Sequence, residues 1–164
     1  MPYKSLLKYN SSIVNKWIKL ILDSYSTESS NFFNLEKNQF SNPVGNTISN
    51  NAVSIFDEIV GSRDFDKITL LLTDIIKMRA IQDFSPSEAV GFIFPLKKII
   101  REEFSKEINQ QKLFDEIAEL ETVIDRVALI AFDLYMEARE KVFQIRMNEA
   151  RFKIQKAVNQ VTNI

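Results

Sequence analysis

Three groups of polar side chains in this sequence have the types and spacing to do chemistry or to hold a partner. The first is Arg79 with Gln82, Asp83, Ser85, Ser87 and Glu88. A cation beside a new helix start could hold an anion, because the free amides of a helix N-terminus point at it. The plainer alternative is a rigid corner, with Asp83 and Ser85 capping and Arg79 paired to a carboxylate. The second group is Lys97, Lys98 and Arg101 beside Glu102 and Glu103. It could take a phosphate or an acidic partner, but cations near a helix C-terminal half also suit the helix dipole as a solvated face. The third is Tyr135, Arg139, Arg146, Asn148 and Glu149. Arg139 and Arg146 are seven residues apart and share one helix face, where they could hold another protein or a sister helix. Simple salt bridging, such as Glu137 with Lys141, competes with that reading.

No group makes a catalytic set. The chain has no His and no Cys, which excludes Ser-His-Asp and Cys-His arrangements, disulfides, cysteine zinc sites and iron–sulfur clusters. No phosphate-binding glycine loop, dinucleotide fingerprint or plausible pair of catalytic carboxylates is present. The reading is therefore a protein with no enzyme activity and no cofactor. A formal net charge of -1 gives no global field toward nucleic acid or a membrane. The N-terminus lacks the layout of a secretory signal, and no apolar run reaches the ~20 residues that span a bilayer. The expected location is cytoplasmic.

The elements that must position these groups read as helices throughout, and the 164 residues fit one domain. Apolar residues recur at helical spacing and no strand-like alternation persists. A first helix is expected from about Tyr3 to Tyr25, and a second from Asn42-Pro43 to Val60, with Gly45 in its first turn allowing a close approach. A third, capped by Ser62 or Asp64, is expected to run to about Gln82. A fourth follows the Ser85 cap to about Ile108, with a kink at Pro95. Ser26 to Asn42, with Phe32, Phe33, Leu35 and Phe40, reads as an ordered loop or short helix over the core. Trp17, Phe92 and Phe94 are candidate lining for an apolar pocket between helices one, three and four, although aromatics at helical spacing are usually core.

The fifth helix, from Gln111 to Val161, contains neither Gly nor Pro. At ~1.5 Å per residue it would span about 75 Å, against roughly 40 Å for a compact body of this size. It must break or project. A wide apolar stripe runs from Leu113 to Ile145, and beyond it Met147, Ala150, Ile154, Ala157 and Val161 make a narrower seam of coiled-coil spacing. From Arg139 onward six basic residues (Arg139, Lys141, Arg146, Arg151, Lys153, Lys156) face Glu140 and Glu149. Residues 1–145 are read as the domain and 146–164 as an extension with a separate task.

Several stretches resemble a known family: Asn42-Pro43-Val44-Gly45; the run Arg79-Ala-Ile-Gln-Asp-Phe-Ser-Pro-Ser-Glu-Ala-Val-Gly-Phe-Ile-Phe; Leu96-Lys-Lys-Ile-Ile-Arg-Glu-Glu; Ile130-Ala-Phe-Asp-Leu-Tyr-Met-Glu-Ala-Arg-Glu-Lys-Val; and Ile145-Arg-Met-Asn-Glu. They are similar to the RsbRD-type N-terminal domain of RsbT co-antagonist proteins. The resemblance implies a helical sensory domain of the stressosome type. In such proteins a STAS domain follows and binds the kinase RsbT. Related input domains are globin-like dimers without haem, with a long helix leading to the STAS part. This sequence ends after the long helix, so the expectation is a stand-alone version without a STAS domain. Stand-alone members occur in sulfate-reducing and related anaerobic bacteria beside genes for sulfite-reduction electron transfer.

The resulting expectation is an all-α, five-helix bundle, globin-like or related, whose long last helix breaks or projects beyond the body. Its function would be regulatory or sensory, through protein–protein contact and a homodimer. The alternatives are a small-ligand-binding domain, or an accessory subunit of a sulfite-reduction-linked electron-transfer complex in peripheral contact with a membrane assembly.

Overall fold

The computed structural model describes residues 10–25, 41–105 and 111–162. Among them are six helical segments: α1 (Asn10–Asp23), α2 (Pro43–Val60), α3 (Phe65–Ile81), α4 (Pro86–Val90), α5 (Pro95–Glu103) and α6 (Gln111–Thr162). The fold is all-α. The expected loop with Phe32, Phe33, Leu35 and Phe40, and the start of the first helix at Tyr3, lie outside the described residues.

One core joins the segments. Ile13, Trp17 and Ile21 of α1 meet Ile48, Ala52, Ile55 and Ile59 of α2, Ile68, Leu72 and Ile75 of α3, and Leu120, Ile124, Val127 and Ala131 of α6. Each set recurs every three or four residues, so each helix buries one stripe. Sharp local signals set the ends. Asn42 caps α2 by accepting from the Gly45 amide at 2.8 Å. A Cβ on residue 45 would lie 2.3–2.8 Å from the Asn42 side chain, so the glycine makes room for its own cap. Asp64 caps α3 through the amides of Asp66 and Lys67. Ser85 and Glu88 form a complete capping box at α4.

The expected fourth helix is broken, not kinked. It stops at Val90, and Pro95 opens α5 at the first helical position. A proline there costs nothing, because its missing amide would have had no helical partner. The break frees the Phe92 carbonyl, which accepts the Trp17 indole N–H at 2.8 Å in the buried core.

The last helix is continuous and projects. Its core face runs through Leu113, Ile117, Leu120, Ile124, Val127, Ala131 and Tyr135. Val142 is the last partly buried residue, and every residue from Phe143 to Thr162 is exposed. Ile145, read from the sequence as the end of the wide stripe, is 58% exposed. The body lets go of the helix one turn earlier than the apolar pattern indicated. The free part, about 20 residues, is roughly 30 Å long.

Candidate functional site

The structure gathers the first and third polar groups around one turn, that between α3 and α4. Gln82 caps α3, Asp83 adopts a left-handed φ of 58°, and the Phe84 amide donates back to the Arg79 carbonyl at 3.2 Å. This is a Schellman ending, whose left-handed position usually holds glycine. Aspartate tolerates that conformation better than most residues, and here its carboxylate has partners. Arg139 of α6 donates to Asp83 at 3.0 Å and to the Ala80 carbonyl at 3.0 Å, and Arg146 donates to Asp83 at 3.4 Å. Tyr135 donates its hydroxyl to the Phe84 carbonyl. Residues 135, 139 and 146 thus clasp the turn at the place where α6 leaves the body. The Arg139 hydrogen bond, then the Arg146 charge, hold the Asp83 carboxyl below its ordinary range.

Arg79 points from the same turn into the protein. It is fully buried, and no carboxylate is among its partners in the described residues. Its guanidinium donates to the Glu88 carbonyl at 2.9 Å, to Ser24 Oγ at 2.7 Å and to the Ile21 carbonyl at 3.3 Å. Three rings face it: Phe92 at 4.6 Å, Phe84 at 4.8 Å and Tyr25 at 4.9 Å from its central carbon. A planar, delocalised cation is weakly hydrated and stacks on aromatic faces, and a lysine ammonium does this poorly. Burial pushes the Arg79 pKa down and the neighbouring Tyr25 pushes it partly back. The carboxylate pairing considered for Arg79 from sequence is therefore replaced by an aromatic and carbonyl cage. Asp83, which was considered as a cap, instead serves α6.

Phe84 belongs to both sides of the turn. Its ring packs on Arg79 and meets Tyr25 edge-on at 5.3 Å, while its carbonyl accepts from Tyr135. The end of α1, the start of α4 and the exit of α6 are therefore tied to the same few residues. Sequence reading singled out the two groups but not their union, because nothing local places Tyr135 beside Phe84, 51 residues away.

The second group is neutralised within the fold. Lys97 pairs with Asp125, Arg101 with both oxygens of Glu121, and Lys98 with Glu102 at 3.6 Å. The first two pairs pin α5 to α6. Trp17 and Phe92 stack with centroids 6.2 Å apart and the Arg79 guanidinium lies over Phe92; Phe94 is half exposed at the head of α5. A groove of about 400 Å³ lies elsewhere, between α3 and α6, with Ala80, Ile81, Leu134, Ala138, Val142 and Ile145 along it. Asn148 and Glu149 stand exposed on the projecting part of α6.

The back of α6 carries a second apolar line. Leu129, Phe132, Met136 and Phe143 are exposed, about a third of a turn around the helix from the core face. That line runs directly into Met147, Ala150, Ile154, Ala157 and Val161, all exposed. The seam seen in the sequence is thus not a continuation of the core stripe. It is a separate stripe that begins beside the body.

The described residues form a helical body whose last helix runs on beyond it and is clasped at its exit by the turn between α3 and α4. The chain matches the family described as the RsbT co-antagonist protein rsbRD N-terminal domain over residues 11–150, and it belongs to that family. The family points to a regulatory sensor domain of the stressosome type. No curated protein and no solved structure matches the chain. Among the described residues no helix is long and apolar enough to cross a membrane.

Proposed function

We propose that this chain is a non-enzymatic, cytoplasmic regulatory module. Residues 1–145 form its sensing body and residues 146–164 extend a rod that meets another protein. The observation that carries the reading is the shared turn. A change in the packing around Arg79 reaches Phe84 and Ala80 directly; Tyr135 and Arg139 hold α6 to those two residues, and Arg139 and Arg146 hold it to Asp83 of the same turn. Arg139, Arg146, Asn148 and Glu149 are the side chains best placed to pass that change to a partner. The body pairs with a second copy through the back of α6 at Leu129, Phe132 and Met136, whose exposure favours coverage.

Affinity capture from native cell extract tests the reading, using the intact chain and a chain ended at Ile145. The expected result is a partner retained only by the intact chain, with both chains showing the same helical spectrum. Equal retention by both would remove the rod from the function. Sedimentation at micromolar concentration tests the pairing: Leu129→Glu with Phe132→Glu converts a dimer to a monomer, and a monomeric intact chain ends that part of the proposal.

Two further readings each have one observation in their favour. The groove between α3 and α6 favours a small apolar ligand there rather than beside Trp17 and Phe92. The exposed basic residues of the rod favour an accessory subunit docked on an acidic face of a redox assembly.

A further inference from the structure

We infer that the part of α6 projecting past the body is one half of a heterotypic coiled coil, and that its occupant is an amphipathic helix of another protein with acidic residues flanking its apolar seam. This rests on the reading above that the rod contacts a protein, and it names the chemistry of that contact.

The seam residues are Phe143, Met147, Ala150, Ile154, Ala157 and Val161, at alternating four- and three-residue steps and all exposed. In heptad terms Met147, Ile154 and Val161 occupy a, while Phe143, Ala150 and Ala157 occupy d. The flanking e and g positions decide which partner fits. They hold Gln144, Arg146, Arg151, Lys153, Val158 and Gln160. Three are cations and none is acidic. Arg151 and Lys153 form no ion pair with any described residue, and Arg146 reaches Asp83 only at 3.4 Å.

A second copy of this rod is a poor occupant. Parallel pairing sets Arg146 opposite Arg151 of the other copy on both sides of the seam. Antiparallel pairing brings the g-position cations Arg146 and Lys153 together. Like charges across a seam oppose association, and flanking charges set partner choice in coiled coils. The seam itself agrees. In a parallel self-pair Ala150 and Ala157 would face their own copies and leave the interface thin. Against larger residues such as leucine they are holes ready for knobs. The dimer proposed for the body crosses at Leu129, Phe132 and Met136; that line continues into the seam, but the like charges of Arg146 and Arg151 keep the two rods apart past Phe143 and leave the seam for this second contact.

The test uses the full chain and two synthetic helical peptides. Both peptides carry leucine at every a and d position; one has glutamate and the other lysine at every e and g position. Binding is followed by fluorescence anisotropy of labelled peptide at low and high salt. The glutamate peptide should bind at least about tenfold more tightly than the lysine peptide, and salt should weaken it. Ile154→Asp should abolish binding while leaving the helical spectrum and sedimentation of the body unchanged. The triple variant Arg146→Glu, Arg151→Glu, Lys153→Glu should reverse the preference toward the lysine peptide. Equal affinity for the two peptides overturns the inference. So does a self-association of the intact chain that Ile154→Asp dissolves, which would make a second copy the occupant. Binding to vesicles of phosphatidylcholine with phosphatidylserine, in place of either peptide, would assign the rod to a membrane surface and also overturn it. Rod-dependent capture from extract combined with no charge preference would sink this inference and leave the broader reading standing.

Discussion

Arg79 sets the most demanding test of the structure, because three substitutions should rank in an order that simple size or charge does not give. The side chain is fully buried, donates to Glu88, Ser24 and Ile21, and lies between three rings. Arg79→Ala empties that space and removes every donor. The cavity costs about 2–4 kcal/mol and the lost hydrogen bonds from a charged group about 1.5–3, or about 3.5–7 together. This is comparable to the whole stability of many domains, at about 5–15 kcal/mol, so the alanine variant should be marginal or unfolded. Arg79→Lys keeps the charge and most of the length. It still places a strongly hydrated point charge where a flat fork was, and one ammonium cannot bridge α1 and α4 while stacking on rings. The expected loss is about 3 kcal/mol, which for a domain of this size is about 6–12 °C in Tm. Arg79→Met removes the cation from a site with no counter-charge, and the desolvation this relieves, several kcal/mol per buried ion, offsets most of the lost hydrogen bonding. Its net cost should stay below about 2 kcal/mol. Urea denaturation followed by circular dichroism measures all three, with unchanged slopes confirming that the same surface unfolds. A lysine variant within about 1 kcal/mol of the parent, or a methionine variant less stable than the lysine one, would refute the cage.

Tyr135→Phe removes the hydroxyl bonded to Phe84 and should lower stability by about 0.5–1.5 kcal/mol, measured by the same denaturation. Asp83→Gly relieves the left-handed backbone but loses the acceptor for Arg139 and Arg146; Tm should hold or rise while amide exchange between residues 139 and 146 speeds up, and unchanged exchange would show that the clasp does not hold α6. The pKa values of Asp83 and Glu58 are both lowered in the fold, Asp83 first by the Arg139 bond and Glu58 first by Lys67. Groups lowered in this way stabilise the fold above their unfolded pKa of about 4 and lose that contribution as pH falls through the folded value; acid titration should therefore release the α6 exit below about pH 4, and Asp83→Asn should remove its part of that dependence. Ending the chain after Ile145 should leave the unfolding free energy within about 0.5 kcal/mol, since every residue from Phe143 to Thr162 is exposed; a larger loss would mean that the rod supports the body.

Most of the helices are legible in the sequence because their ends carry strong local chemistry. Asn42 with Pro43, Asp64, and Ser85 with Glu88 each satisfy a helix start with a nearby side chain, so a few residues suffice to place them. The reading failed where the deciding partner is distant. Pro95 fits either a kinked helix or a new one, and the choice turns on Trp17, which accepts the cost of the break by bonding the freed Phe92 carbonyl 75 residues away. The same is true of Arg79. Its neighbours in sequence include Asp83 and Glu88, which made a carboxylate pair the natural expectation. Its actual surroundings combine Tyr25, Phe84 and Phe92 with carbonyls from α1 and α4. The basic run at Lys97–Arg101 looked free only because Asp125 and Glu121 lie on another helix. The two apolar stripes of α6 overlap along the sequence, and which of them is buried depends on where the body ends.

The turn between α3 and α4 explains why so much unusual chemistry is packed into a few residues. A rod that only extended a domain would need no clasp, and a corner that only joined two helices would use glycine at its left-handed position. Here the left-handed residue is an aspartate held by two arginines of α6, and the next residue touches a buried cation with its ring and α6 with its carbonyl. The inner side of the turn is stiff, because a caged guanidinium tolerates few arrangements. The outer side is exposed and held by polar contacts, which open at lower cost than packed apolar ones. On the function proposed above, a disturbance inside the body has its easiest outlet at the clasp, and the first thing it frees is the angle at which α6 leaves.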